Sequence, residues 1–154
     1  MAPIAEHLQS FTVAALIKPA RMLDLEVILS ADPFKDAAGF EMRVDKTGAV
    51  GVFAGDVAVA VAKNALTLNR WSIVIVRVRK GREARIWVDF TRCVAGGALK
   101  GVCTSFGPWQ GLYIFGGSPK IKPFCGSLAE LVVVNKALDD SQIEQLNGYF
   151  VSKF

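Results

Sequence analysis

The feature that most narrows the folds open to this chain is a two-residue alternation of apolar and polar side chains, renewed between turn-forming residues along most of its length. In Phe40-Glu41-Met42-Arg43-Val44-Asp45 every second residue is apolar. On a pleated strand that spacing points Phe40, Met42 and Val44 to one face and the charges to the other. The same reading predicts strands over residues 11–18, 25–30, 49–53, 57–62, 71–79, 84–89, 112–115 and 127–134. Pro19 ends the first, because its ring removes a hydrogen-bond donor. Asp45-Lys46-Thr47-Gly48 reads as a hairpin turn with Gly48 at positive φ. Lys80-Gly81-Arg82-Glu83 closes the clearest hairpin in the chain, and the charges near its tip are expected to face solvent. Val57 to Ala62 alternates Val with Ala and has no polar side chain, so it is expected to press against another layer or to meet a partner.

Only the tail changes period. Ile143, Leu146 and Phe150 recur at helical spacing after Asp139, which serves as N-cap with Gln142 as its capping-box partner. This many strands with one helix, and no strand-helix-strand units, predict an all-β fold: a two-sheet antiparallel β-sandwich with one short C-terminal helix. Residues 1–10 are read as an N-terminal arm and residues 11–154 as one sandwich domain, long enough to bury a core without disulfides or metals.

The net charge of +4 is modest and lies largely between Arg77 and Arg85, which is weak support for a nucleic-acid partner, and none is expected. No apolar run reaches the roughly 18 residues of a membrane span. The start, Met1 to His7, lacks a basic segment followed by an apolar one, so synthesis in a cytoplasm is expected. Cys93, Cys103 and Cys125 are expected as free thiols, with a Cys103 to Cys125 bridge as the alternative if the compartment oxidises.

The order of segments then resembles a family. Phe11-Thr12-Val13 opens a strand, and Asn69-Arg70-Trp71 leads into the long hairpin ending Ile86-Trp87-Val88-Asp89. Leu112-Tyr113-Ile114-Phe115-Gly116-Gly117, Phe124-Cys125-Gly126-Ser127-Leu128-Ala129-Glu130-Leu131 and Asn135-Lys136-Ala137-Leu138 follow, before the closing helix. Together these resemble laminin G-like, concanavalin A-like domains over Phe11 to Phe154, which implies a jelly roll. Such domains usually begin with one more strand before the position of Phe11, so the resemblance also implies an arm or edge free to pair with a neighbouring subunit.

A search for chemistry finds no equipped active site, and no enzyme activity, metal or cofactor is expected. Glycoside hydrolysis needs two facing carboxyl groups. Glu41 and Asp45 share a strand face, but Arg43 stands between them and the set reads as a salt-bridged solvent face. The sole histidine, His7, lies in the arm, and Phe115-Gly116-Gly117-Ser118 reads as a tight bend. Asp24, Glu26, Asp32 and Asp56 are oxygens for calcium that no spacing selects.

Candidate ligand-binding residues are Arg77, Arg79 and Arg82 on the basic hairpin, which suit an acidic surface, and Trp109, a loop aromatic on which a sugar ring could stack. The resemblance implies recognition of glycans or protein surfaces outside cells. The missing leader and unpaired cysteines instead suggest cytoplasmic assembly, which a virion reconciles. The expected function is thus a non-catalytic virion (phage) surface component, such as a capsid decoration or tail protein, with other virion proteins or a second copy as partners. The alternative is a carbohydrate- or protein-binding module of a larger secreted protein, located extracellularly and meeting glycans.

Overall fold

The structure, a computed structural model, describes residues 10–33, 39–79, 83–95, 109–116 and 121–154. Among them run β1 (Phe11–Pro19), β2 (Glu26–Pro33), β3 (Phe40–Val44), β4 (Val50–Ala54), β5 (Val57–Ala62) and β6 (Ser72–Arg79). There follow β7 (Glu83–Val88), β8 (Thr91–Ala95), β9 (Trp109–Ile114), β10 (Lys122–Pro123), β11 (Gly126–Val134) and the helix α1 (Asp140–Lys153). The first sheet has the order β11-β1-β6-β7-β8, and the second the order β10-β2-β3-β4-β5 with β9 also beside β2. β10 runs parallel to Glu26 and Val27, while β9 runs antiparallel to the rest of β2. The expected sandwich is present, with that one short parallel contact added.

Between the sheets lie Phe11, Val13, Ala15 and Ile17 of β1, packed with Phe40, Met42 and Val44 of β3 and with Val50 and Val52 of β4. The three β3 residues are fully buried, as their alternation requires. β1 and β6 are apolar on both faces for a separate reason. Their outer face, with Ala14, Leu16, Ile73 and Ile75, meets Ile143 and Phe150 of α1. The helix therefore covers the face of a sheet. Burying Ile143 and Phe150 there stabilises the docking by about 1.5–3 kcal/mol each.

Local chemistry fixes the joints. Asp139 accepts from the Gln142 backbone and Gln142 from the Asp139 backbone, completing the capping box. The Asp45 carboxylate accepts from Thr47 and Ala49, and Gly48 has a φ of +79°. At Gly126 a Cβ would stand 2.3 Å from the Lys18 carbonyl oxygen, so only glycine admits this pairing of β11 with β1. Asp89 and Phe90 link β7 to β8 with positive φ at both residues, 49° and 64°. That two-residue turn normally shows itself by Asn-Gly or Asp-Gly. Here it lacks glycine, which is why β8 is not visible in the sequence.

β5 presses against the other layer on one face, as expected. It is the edge of the second sheet, where Ala60 and Ala62 point inward and Val57 is 49% exposed. Cys125 is a free thiol. Residues 1–9 of the arm, the turn at 34–38, the hairpin tip at 80–82 with Arg82, the glycines at 96, 97 and 101, and Cys103 lie outside the described residues.

Candidate functional site

The outer face of the second sheet carries both charged and aromatic side chains. Because Phe40, Met42, Val50 and Val52 point inward, Glu41, Arg43, Gly51 and Phe53 point outward. Register extends the face across strands. Tyr113 of β9 stands beside Ser30 of β2, Ser30 beside Glu41 of β3, and Glu41 beside Phe53 of β4. At about 4.8 Å per strand the row spans roughly 14 Å. Arg43 lies opposite Gly51 in the adjoining row.

These side chains hold one another in place. A Cβ on Gly51 would approach the Phe53 ring to 2.6 Å, so the missing side chain is what lets that ring lie over β4. The Arg43 guanidinium stacks 4.2 Å from the ring centroid. Its Nε donates to Glu41 Oε2 at 2.5 Å and its Nη2 to the Gly55 carbonyl at 3.1 Å, with the Asp56 carboxylate 3.8 Å away. The reading of Glu41 and Arg43 as a solvent face needs correction. The ion pair forms, but the Arg43 side chain is only 5% exposed, while Asp45 is occupied with its own turn. A guanidinium anchored on three sides presents a carboxylate in a set orientation, and Tyr113, 45% exposed, supplies an aromatic ring two strands away. A ring with fixed hydrogen-bonding groups beside it suits a ligand that has both C–H faces and hydroxyl groups.

The sequence-predicted residues are not brought together. Trp109 opens β9 in the second sheet, and its side chain lies outside what is described. Arg77 and Arg79 belong to the first sheet. Arg77 is a correction to the expected solvent-facing hairpin. Its side chain is 1% exposed, stacked over Trp87 at 4.9 Å, and donates to the Leu138 carbonyl, Asp140 and Glu83. The alternating register aims it at α1, and a buried, bonded guanidinium is a fastener rather than a docking group. Arg79 and Arg85 both pair with Glu83. Glu41, Arg43, Phe53 and Tyr113 were missed as ligand candidates. The pattern Glu41-Met42-Arg43 and a strand holding Tyr113 are visible in the sequence, but the pairing of β9 with β2 that brings Tyr113 into the same row is not.

A second concavity, of about 450 Å³, lies between the first sheet and the C-terminal half of α1. Leu16, Ile73 and Phe150 line it together with Trp71 and Phe154, and Asp89 is its one ionisable side chain. One Asp89 oxygen already accepts from the Ile73 backbone. A hydroxyl-rich ligand would find too few partners there. The calcium candidates are dispersed, Asp24 pairing with Lys46 and the buried Glu26 with Arg21. No helix among the described residues is long and apolar enough to cross a membrane.

A family model described as the concanavalin A-like lectin/glucanases superfamily matches residues 3–144. The fold is similar to that of the CBM40 of the Ruminococcus gnavus IT-sialidase bound to α2,3-sialyllactose, with a TM-score of 0.74 and 14% identity over 92% of this chain and 84% of that one. A Bacteroides ovatus protein provisionally described as carbohydrate binding superposes with a TM-score of 0.70 and 23% identity, over 94% of this chain and 42% of the other. Trypanosoma rangeli sialidase in complex with the inhibitor DANA superposes with a TM-score of 0.68 and 19% identity, over 91% of this chain and 23% of the enzyme. No curated protein matches the chain. At these identities the likeness is one of fold. The expectation of a virion surface protein draws nothing from these similarities, whereas the carbohydrate-binding alternative does.

Proposed function

From the finding that the chain belongs to the concanavalin A-like lectin/glucanases superfamily, we propose that it is a non-catalytic glycan-binding sandwich whose ligand lies on the outer face of the second sheet. The observation that carries this reading is the row Tyr113, Ser30, Glu41 and Phe53, with Arg43 locked behind it. Tyr113 would take the C–H face of a sugar ring. Glu41, oriented by Arg43, would accept from sugar hydroxyls, since an ionised carboxylate is a strong acceptor. The carbohydrate-binding descriptions of proteins with this fold support the same reading. Such a module acts outside the cell that makes it, where its ligands are, so the extracellular alternative is preferred to the virion. Sialylated glycans are the first class to test, because the Ruminococcus gnavus module of this fold is bound to sialyllactose.

The test is an array of sialylated and neutral glycans probed with the wild-type chain, Tyr113→Ala and Glu41→Gln. Loss of a stacked ring or of a charged acceptor should weaken binding by about tenfold or more, with circular dichroism showing that both variants are folded. An array without hits, or hits that both variants keep at full strength, would sink the proposal.

A further inference from the structure

The edge of the second sheet leads to a partner of a definite kind. β5 reads Val-Ala-Val-Ala-Val-Ala from Val57 to Ala62, with Asp56 before it and Lys63 after it. It pairs with β4 on one side, and among the described residues no strand lies on its other side. An unpaired edge invites another strand, and proteins usually guard against this with lysine, proline or inward charges along the edge. β5 has none of these between its two ends. Its one irregularity is a bulge near Val59, with paired residues continuing on both sides.

We propose that β5 is a self-association edge on which a second copy of this chain adds its own β5 antiparallel, joining the two second sheets into one. The sequence is complementary to itself in that direction. Val57 then faces Ala62 of the second copy, Ala58 faces Val61 and Val59 faces Ala60, so a large side chain always meets a small one. Asp56 meets Lys63 of the second copy, and by symmetry the reverse pair forms too. Both charges are available: the Asp56 side chain is 84% exposed with Arg43 no nearer than 3.8 Å, and Lys63 is exposed. A parallel pairing would set like charges together at both ends, so the charges also choose the direction. The two-fold axis of such a pair stands perpendicular to the joined sheet and turns both outer faces to the same side. Where the glycan reading holds, two binding faces would act on one surface with the gain of bivalency; the association itself does not depend on that reading.

Sedimentation velocity of the full chain at high micromolar concentration tests the pairing, with circular dichroism to show that each variant is folded. The wild type should dimerise. Lys63→Glu sets two like-charge pairs at the edge and should weaken the dimer by roughly tenfold or more, and adding Asp56→Lys to it should restore the dimer by recreating both pairs in reverse. A wild type that stays monomeric, a dimer indifferent to Lys63→Glu, or a double variant that fails to recover while remaining folded would each overturn the proposal. Glycan binding measured on the monomeric variant reads the single site separately, so failure of one proposal is distinguishable from failure of the other.

Discussion

Arg77 Nη1 donates to Asp140 Oδ1 at 2.7 Å, tying a residue in the middle of the first sheet's outer face to the first turn of the helix packed on it. The two ends of this bond live in different surroundings. The guanidinium side chain is 1% exposed and the carboxylate 74% exposed. That asymmetry governs what removing either partner does.

Arg77→Ala takes away the bonds to the Leu138 carbonyl, Asp140 and Glu83 together with the packing over Trp87. Urea denaturation should show a loss of about 3 kcal/mol. Asp140→Asn leaves Arg77 its other partners and removes a mostly exposed charge, so its cost should be nearer 1 kcal/mol. A larger loss for Asp140→Asn than for Arg77→Ala would contradict the fastening role.

Acid should loosen the helix. The Arg77 hydrogen bond, aided by the charges of Arg77, Arg85 and Arg79, holds the Asp140 carboxyl below its ordinary 3.8. At the other end of α1, the Tyr149 hydroxyl and then Lys153 hold Glu130 below its ordinary 4.5. A carboxyl depressed on folding contributes stability that is complete above its unfolded value and is lost as pH falls through the lower folded one. Stability should therefore decline below these ordinary values, and the decline should be shallower in Asp140→Asn combined with Glu130→Gln. Lys153 is raised above 10.5, by Tyr149 and then Glu130, so its share has the opposite sign and fades only as pH rises through its higher folded value. Denaturation midpoints taken across the acid range check the first claim.

Gly51→Ala probes the candidate site through packing alone. The added methyl would stand 2.6 Å from the Phe53 ring, which must swing away and release the Arg43 guanidinium it covers. The ring is half-buried and can move, so the stability cost should be about 1 kcal/mol. Glycan binding should fall more than stability does, because Glu41 loses the neighbour that orients it. Equal binding by Gly51→Ala and wild type would show that this anchoring is irrelevant to the ligand.

Local pattern carried much of the fold. The alternation over 40–45 was enough to set Phe40, Met42 and Val44 inward, and Asp139 with Gln142 marked where the helix begins. Such features depend on residues a few positions apart, and the physics that selects them acts over that same distance. β8 escaped because its turn uses Asp89 and Phe90 at positive φ without a glycine to advertise it.

The candidate site was legible only in part, for a different reason. The stretch Glu41-Met42-Arg43 shows two charges on one strand face, but whether that face is wet depends on what packs above it. A glycine and an aromatic at 51 and 53, on the next strand, decide it by covering Arg43. Likewise Arg77 looks like a solvent charge in its hairpin and becomes a buried fastener because residues about sixty positions later fold onto it.

The sequence by itself determined the layers: strands from alternation, turns from glycine and proline, and one capped helix at the end. Only the tertiary structure decided which charges are exposed and which strands are neighbours. Burial and register between distant segments are set by the free energy of closing the whole core, and no window of the chain holds that information.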